Sequence, residues 1–259
     1  MQHRARKRFG QNFLHDPRII QGIVNAIHPQ PGEHLVEIGP GMGAITLPLV
    51  ASGAWVDVVE LDRDLVPILQ QKLAPASNLR IHQHDALKFD FCALAGEQQK
   101  LRVLGNLPYN ISTPLIFHLL DQAHCIHDMH FMLQKEVVDR LAASPGCADY
   151  GRLGIMVQSR CAVEHLFTVP PGAFNPIPKV DSAIVRLTPY AQPPVLIRDQ
   201  ALFAKVVAQA FQQRRKTLRN NLKGLIDATA LEALNIDPGR RPETLSLEEF
   251  AAIANALVR

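Results

Sequence analysis

Residues 34–51, HLVEIGPGMGAITLPLVA, contain the segment that decides the fold. His34–Ile38 has the pattern of a short apolar strand, the glycine-rich run 39–43 is typical of a tight turn, and Ala44–Ala51 has a helical pattern. Glycine lets the backbone approach a ligand closely and adopt a positive φ. In open parallel sheets the ligand lies at the carboxyl ends of the strands, beside such a turn. The segment therefore predicts a ligand-binding α/β domain.

Strand and helix patterns alternate after this segment. The predicted strands are Trp55–Leu61, Leu79–His82, Leu101–Leu104 and Met129–Leu133, and the predicted helices are Arg63–Leu73 and Pro114–Ala123. This alternation indicates a mainly parallel, doubly wound sheet. Two further strand patterns, Ala162–Val169 and Ser182–Thr188, have no helical pattern between them. We expect these two strands to form an antiparallel hairpin on the sheet.

A proline-rich break at Thr188–Pro194 marks the predicted domain boundary. Beyond it, apolar residues recur at helical intervals in two groups, which are Val207, Phe211, Leu218, Leu222 and Leu225, and then Leu245, Phe250, Ile253 and Leu257. We therefore expect a sheet domain of residues 1–189 and a small all-helical domain of residues 190–259.

The composition is that of an ordinary globular protein. Of the 259 residues, 47% are hydrophobic, and the net charge is +3. The four cysteines have no CxxC spacing and the 11 histidines show no metal-binding pattern, so we expect buried free thiols and no metal. No apolar run is long enough for a membrane span, and no apolar signal segment follows the basic start. We expect a cytoplasmic, monomeric protein.

Two acidic residues follow predicted strands on the ligand side of the sheet. Glu60 ends the second strand, where a carboxylate can accept hydrogen bonds from both ribose hydroxyls, and Asp85 follows the third, within reach of an adenine amino group. The loop also fits the GxGxxA pattern of nicotinamide-dependent dehydrogenases. Pro40 removes an amide donor that a pyrophosphate would use, which favours S-adenosylmethionine as the cofactor. The alternative for either acid is a helix cap or a solvated loop.

The sequence Asn106-Leu107-Pro108-Tyr109 follows the fourth strand and faces the same edge of the sheet. The exocyclic amine of a nucleobase is a poor nucleophile, because its lone pair is delocalised into the ring. The side-chain oxygen of Asn106 and the carbonyl of Leu107 can accept its two N–H groups and so favour a localised lone pair. Pro108 stiffens the turn, and Tyr109 can stack on an extruded base. An ordinary turn at the end of a strand is the alternative.

Basic residues without acidic partners occupy 205–224. On a continuous helix, Arg215, Arg219 and Lys223 would share one face, and Arg214 and Lys216 lie beside it. Such a stripe indicates phosphate binding, although a solvated helix face is the usual alternative for a charge run. Residues 4–8 add four further positive charges near the N-terminus.

Taken together, several motifs resemble those of the bacterial 16S ribosomal RNA adenine N6,N6-dimethyltransferases. The similar stretches are residues 6–14 (RKRFGQNFL), 37–41 (EIGPG), 60–62 (ELD), 105–113 (GNLPYNIST), 132–137 (MLQKEV) and 174–182 (FNPIPKVDS). The resemblance extends over nearly the whole chain. It implies a Rossmann-like methyltransferase sheet with a helical C-terminal domain. It also implies transfer of methyl groups from S-adenosylmethionine to N6 of two adjacent adenines near the 3′ end of 16S ribosomal RNA.

The resemblance also implies roles for single residues. Asn12 and Leu14 match positions that line the methionine end of the cofactor, and Gly39, Glu60 and Asp85 match its loop, ribose and adenine contacts. Asn106 matches the residue between cofactor and target amine. Phe174 matches the aromatic residue that stacks on the target adenine opposite Tyr109, although a core or loop anchor is the alternative for Phe174. The expected partner is the small ribosomal subunit, in whose biogenesis the protein would take part.

Other functions compete with this interpretation. A 23S ribosomal RNA dimethylase is one, but the MLQKEV and FNPIPKVDS stretches and the basic tail favour the small-subunit enzymes. An adenine-N6 DNA methyltransferase would more typically carry proline at the position of Leu107. A protein that checks ribosome assembly by binding the RNA, with methylation secondary, is compatible with the same residues. A nicotinamide-dependent dehydrogenase is the remote alternative.

Overall fold

The structure is a computed structural model that describes residues 11–74, 76–96 and 99–258. The basic residues 4–8 and the first part of the RKRFGQNFL stretch lie outside the described residues. The strands are β1 (Phe13–Leu14), β2 (His34–Ile38), β3 (Trp55–Glu60), β4 (Leu79–Gln83), β5 (Leu101–Asn106), β6 (Ile126–Gln134), β7 (Cys161–Val169), β8 (Phe174–Asn175) and β9 (Ser182–Pro189).

Ten α-helices lie within the described residues. They are α1 (Pro17–Ile27), α2 (Thr46–Ala51), α3 (Val66–Leu73), α4 (Ser112–Asp121), α5 (Lys135–Ala142), α6 (Arg152–Gln158), α7 (Gln200–Ala210), α8 (Leu218–Asn221), α9 (Ala228–Ala233) and α10 (Leu247–Ala256). Local sequence explains several of their ends. Asp16 caps α1 by accepting hydrogen bonds from the amides of Arg18 and Ile19, and Ser246 and Glu249 form a reciprocal capping box on α10.

Seven strands form one mixed sheet in the order β4-β3-β2-β5-β6-β9-β7. The pairs β2–β3, β3–β4, β2–β5 and β5–β6 are parallel, and β9 runs antiparallel to β6. Strand β2 lies in the middle of the parallel part, and four of its five residues are buried. The carboxyl ends of β2, β3, β4 and β5 therefore meet at one edge, as the glycine-rich turn predicts.

The predicted α/β class and the predicted strands are confirmed, with ends that differ by a few residues. The two strands expected at the edge, β7 and β9, are neighbours in the sheet. A separate two-stranded ribbon joins β1 to β8, with Leu14 opposite Phe174. Helices α5 and α6 were not predicted from the sequence.

The chain divides into two compact units. Unit 1 holds the described residues up to Val138 together with Glu164–Pro189, and unit 2 holds Asp139–Val163 with the described residues from Tyr190 on. The segment Asp139–Val163, which the sequence division places in the first domain, thus belongs with the helical residues. The division into domains of residues 1–189 and 190–259 stays a prediction.

Each unit has its own apolar core. The core of unit 1 includes Leu35, Val56 and Val58 from β2 and β3, together with Ile23 and Ile27 from α1. The core of unit 2 is built mainly on α7 and α10, from Phe203, Val206, Val207, Phe250 and Ile253, and Leu218 and Leu222 also belong to it. Among the described residues, no helix has the length and apolar character needed to cross a bilayer.

The expectation of four buried free thiols is wrong. Cys92 and Cys125, 33 positions apart in the sequence, form a disulfide with their Cα atoms 5.5 Å apart. Cys147 is a free and exposed thiol, and Cys161 is free and buried. The pairing depends on two short turns that meet in space, which no local spacing reveals.

Candidate active site

A cavity of about 360 Å³ lies at the carboxyl ends of the parallel strands. The nine residues that the sequence assigns to cofactor binding or catalysis all lie on its wall. They are Asn12, Leu14, Gly39, Glu60, Asp85, Asn106, Leu107, Tyr109 and Phe174. The structure thus brings together segments from six parts of unit 1, and the individual roles of the nine residues stay predictions.

The glycine turn gives the cavity a wall made of backbone. Gly39 and Gly41 have φ values of +67° and +57°, in the left-handed region that side chains other than glycine rarely adopt. A Cβ atom on Gly41 would lie 3.1 Å from the ring of Phe13, so the turn and β1 are in close contact. The amide of Gly39 donates to the carbonyl of Val59 at 2.9 Å, which holds the turn against the end of β3.

Glu60 lies buried at the end of β3, on the cavity wall. Its Oε1 accepts a hydrogen bond from the amide of Asp62 at 2.7 Å. Burial raises the pKa of Glu60, while the backbone amides of Asp62, Gly41 and Leu61 partly offset this shift and the Asp62 carboxylate adds to it. These amides fix the orientation of the carboxylate. A carboxylate has acceptor sites on both oxygens, so it can also bind a hydroxyl group of a ligand.

Glu37 is a cavity residue whose role the sequence did not predict. It lies within apolar β2 and is only 2% exposed. Burial and, to a smaller extent, the nearby Glu60 raise the pKa of Glu37 to about 7. The hydroxyl of Thr46 donates to Glu37 at 2.5 Å and offsets part of this rise. A charged residue type inside an otherwise apolar strand was the available signal, because a buried carboxyl group requires a partner.

Asp85 makes the capping contact that was the alternative for it, and its cofactor role stays a prediction. Its side chain accepts from the amide of Leu87 at 3.0 Å and caps the 3₁₀ turn Ala86–Lys88. It also lies on the cavity wall, between His84 and Ala86. The cap explains its local position, and the second carboxylate oxygen remains as an acceptor for a ligand.

Asn106 ends β5 at the cavity, and the NLPY turn begins there. Its Nδ2 donates to the carbonyl of Asn12 at 3.1 Å. This bond leaves the side-chain oxygen as the acceptor that can receive an amine hydrogen. The side chain of Leu107 is buried, and its amide donates to the carbonyl of Met132 at 3.2 Å, so the start of the turn is fixed to β6.

The two aromatic residues lie on the same cavity in different settings. Tyr109 is half-buried, and its hydroxyl is 3.3 Å from Oγ of Ser182 in β9. Phe174 is 2% exposed and packs in the core of unit 1 while it contributes to the cavity wall. The structure thus shows the core contact that was the alternative for Phe174, and stacking on a base stays a prediction.

The basic residues of unit 2 do not share one helix face, which corrects the sequence prediction. Helix α7 ends at Ala210, residues 211–217 form bends and turns, and α8 contains only Leu218–Asn221. The side-chain Nδ2 of Asn221 donates to the carbonyls of Gln213 and Lys216, which stabilises this loop in place of a helix. The five residues Arg214, Arg215, Lys216, Arg219 and Lys223 are nevertheless all exposed.

Comparisons with known proteins show the family of the chain. A family model described as ribosomal RNA adenine dimethylase matches residues 2–258. The small subunit methyltransferase A of Pseudomonas aeruginosa is 63% identical over 256 residues, which cover 99% of this chain and 96% of that protein. The corresponding protein of Saccharophagus degradans is 62% identical over 255 residues, with 98% and 95% of the two chains covered.

Solved structures show the same fold. A dimethyladenosine transferase from Plasmodium falciparum matches with a TM-score of 0.79 and 25% identity, over 93% of this chain and 95% of that chain. The 23S ribosomal RNA methyltransferase ErmE matches with a TM-score of 0.74 and 24% identity, over 95% and 99%. These likenesses, the full-length family match and the cavity at the strand ends agree with one another. The chain belongs to the ribosomal RNA adenine dimethylase family.

Proposed function

We propose that this protein transfers methyl groups from S-adenosylmethionine to N6 of two adjacent adenines near the 3′ end of 16S ribosomal RNA. The observation that carries the proposal is the meeting of Asn106, Glu60 and Asp85 on one cavity wall. A cofactor site and an acceptor for an amine therefore lie within one space. The relatives named as small subunit methyltransferases support the choice of RNA.

The exposed backbone and the acceptor groups on the cavity wall support S-adenosylmethionine as the cofactor. The positive-φ turn at Gly39–Gly41 offers backbone without side chains, which suits close approach of a ligand. Glu60 and Asp85 lie beyond it as acceptors for ribose hydroxyls and for an adenine amino group. Asn12 and Leu14, from the segment that includes β1, also line the cavity. We assign the cofactor to these residues.

S-adenosylmethionine, when bound, supplies a methyl group already activated by a sulfonium centre. The protein's contribution is to position the target amine and to stabilise positive charge. The oxygen of Asn106 and the backbone carbonyl of Leu107 would accept the two amine hydrogens and so keep the nitrogen lone pair localised for the transfer. Tyr109 and Phe174 hold the adenine ring between them and face the developing cation. Asn106 or water takes the proton that the nitrogen releases.

The proposal is tested by labelled methyl transfer into unmodified small subunits, large subunits, naked ribosomal RNA and DNA, followed by mass analysis of the nucleosides. We expect dimethyladenosine in the small subunits. Label confined to large subunits or to DNA, or an exclusively monomethylated product, would contradict the proposal.

Substitution of Asn106 tests the role of the carboxamide. We expect Asn106→Ala to lower turnover on small subunits by about a hundredfold or more, because an acceptor that acts in the transition state is lost. The cofactor affinity should fall by less than about tenfold, since only one neutral hydrogen bond, to Asn12, is removed from that wall. Asn25→Ala on α1, exposed and outside the cavity, is the matched control. Near-normal turnover of Asn106→Ala would reject the assignment.

We propose a second role in subunit biogenesis, in the cytoplasm and as a monomer. The exposed basic residues of unit 2 offer contacts to phosphate that do not depend on the catalytic cavity. Cells that carry the Asn106→Ala variant should then mature their small subunits better than cells that lack the protein. Equal maturation defects in the two strains would show that methylation is the whole contribution.

A further inference from the structure

Two cysteines and a histidine meet in unit 1, outside the cavity lining. Cys92 begins the 3₁₀ turn Cys92–Leu94, and His124 and Cys125 end the 3₁₀ turn Ala123–Cys125. The sulfur of Cys92 lies 3.3 Å from Nε2 of His124 and is bonded to the sulfur of Cys125. All three side-chain atoms lie within 4.8 Å of one another. Spacing along the chain does not reveal this cluster, because Cys92 is distant from His124 and Cys125.

The surrounding backbone holds the cluster in place through Gln122. Oε1 of this residue accepts from the amides of Phe91 and Cys92 at 2.7 and 3.2 Å, and its Nε2 donates to the carbonyl of Phe89 at 3.3 Å. The carbonyl of Gln122 is 3.1 Å from the sulfur of Cys125. Three of these four contacts do not involve sulfur. The two turns therefore stay together whether the sulfur atoms are oxidised or reduced.

We propose that the reduced protein binds one Zn²⁺ ion through Cys92, His124 and Cys125. Thiolate sulfur and imidazole nitrogen are the ligands that Zn²⁺ prefers, and they suit it better than they suit Mg²⁺ or Ca²⁺. Three protein ligands leave the fourth tetrahedral position for water. His124 is exposed and Cys92 is half-buried, so the ion can reach the site from solvent.

The site has two states that exclude each other. Two molecules of a small thiol reduce the Cys92–Cys125 disulfide by exchange and leave as their own disulfide, so that each cysteine sulfur gains a proton. Zn²⁺ then displaces both protons and binds two thiolates together with the lone pair on Nε2 of neutral His124. Oxidation by hydrogen peroxide reverses this change. The two thiolate sulfurs form the disulfide, the peroxide takes up two protons from solvent and becomes two water molecules, and the ion is released.

A disulfide by itself does not account for the cluster. A disulfide requires only two sulfur atoms. It does not explain why Nε2 of His124 lies 3.3 Å from the sulfur of Cys92. The proposed function, on which this one step rests, puts the protein with ribosomal RNA in a reducing compartment. Paired cysteines there more often bind a metal or react than form lasting disulfides.

The site joins two segments that both lead to the cavity. His84, Asp85 and Ala86 line the cavity, and the same chain segment reaches Cys92 a few residues later. Helix α4 begins just after the Asn106–Tyr109 turn and ends immediately before Gln122. A bound ion therefore fixes the far ends of both segments. We expect zinc to raise the melting temperature of the reduced protein.

The experiment uses the full chain, reduced with a phosphine and freed of metal, and titrates Zn²⁺ against a chromophoric chelator. We expect one ion per chain in the reduced protein and none after oxidation with hydrogen peroxide. The His124→Ala variant should bind at least about tenfold more weakly. His127→Ala removes an exposed histidine three residues further on and should bind like the parent protein. Absence of zinc binding by the reduced parent protein would overturn the proposal.

Two further variants separate this site from other thiols. Cys92→Ser should lose zinc binding, whereas Cys147→Ser, which removes the free exposed thiol of unit 2, should keep it. The opposite pattern, or equal affinity in the His124→Ala and His127→Ala variants, would refute the site. Folding of each variant is checked by its melting temperature without zinc. Because the titration contains no RNA, its failure is distinct from a failure of methyl transfer to small subunits.

Discussion

Two carboxyl groups, those of Glu37 and Glu60, lie close together on the cavity wall and are both buried. Burial and mutual repulsion raise the pKa of Glu37 to about 7, above its ordinary value of 4.5. The folded protein therefore holds a proton on Glu37 across a pH interval in which the unfolded chain has lost it. The stabilisation from this group is complete below the unfolded pKa and is lost as the pH rises through about 7.

We expect Glu37→Gln to remove this pH dependence. A carboxamide resembles the protonated acid, so the two proteins should have similar free energies of unfolding near pH 4.5. At pH 8 the variant should be more stable by up to about 3 kcal/mol. Urea unfolding between pH 4.5 and 8 measures the difference. Glu232→Gln, an exposed site, is the control and should keep the slope of the parent protein. If Glu37→Gln showed the same dependence of unfolding free energy on pH as the parent protein, the proton assigned to Glu37 would be refuted.

Sequence predicted which polar side chains reach the cavity when they lie at the end of a strand or just after it. Glu60, Asp85 and Asn106 occupy such positions, and the geometry of a parallel sheet brings strand ends together. Glu37 was missed because it lies inside a strand, where the alternation of faces does not distinguish a cavity from the core. The contact of Cys92 with His124 depends on the packing of two turns and could not be read from spacing.

Strands β2 and β5 approach each other closely at Gly105. A Cβ atom at this position would lie 2.5 Å from the carbonyl oxygen of Ile38 and 3.1 Å from the side chain of Leu107. The first neighbour is sheet backbone, and Ile38 is the partner of Gly105 in the register of the two strands. The close approach therefore fixes the point at which the NLPY turn leaves the sheet.

Gly105→Ala should consequently destabilise the protein and impair the adjacent turn. We expect a loss of about 1–3 kcal/mol in the free energy of unfolding, as for other overpacked sites. Turnover on small subunits should fall as well, because Asn106 is the next residue. Gly96→Ala, where a Cβ atom meets nothing within 4 Å, is the control. Urea unfolding measures the change. If Gly105→Ala had the stability of the parent protein, the backbone of β2 at Ile38 would have to shift enough to accommodate the added methyl group.

Helix prediction failed where side chains satisfied the backbone in another way. The spacing of Arg215, Arg219 and Lys223 fits a helix, but Asn221 supplies hydrogen bonds that stabilise a loop before α8. The strands were predicted more reliably, because a buried parallel strand gives a short apolar run between turn residues. Helices α5 and α6 lie where the sequence moves from one unit to the other and back.

For the protein as a whole, the exposed basic residues of unit 2 should govern affinity for the ribosomal subunit. We expect the double variant Arg215→Glu and Arg219→Glu to bind small subunits more weakly and with a smaller dependence on salt, because fewer phosphate counterions are released. Filter binding at several salt concentrations measures both quantities. A double reversal at Arg80 and Lys100, two exposed residues of unit 1, gives the same change of net charge as a control.

Equal affinities of the parent protein and the Arg215→Glu, Arg219→Glu variant at low and high salt would contradict the RNA contact.

The division into two units was only partly visible in the sequence. The proline-rich break Thr188–Pro194 includes Tyr190, where the last part of unit 2 begins. The membership of Asp139–Val163 could not be read, because contacts between distant segments decide it.

The ribbon of β1 and β8 contains four residues of paired backbone. It links the surface assigned to the methyl donor with the surface assigned to the base that accepts the methyl group. Leu14, assigned to the methionine end of the cofactor, faces Phe174, assigned to the adenine, and the carbonyl of Asn12 just before it receives the carboxamide of Asn106. A shift in register of this ribbon would move both binding surfaces together. We therefore expect a change in this ribbon that alters which RNA base binds to alter the affinity for the methyl donor as well.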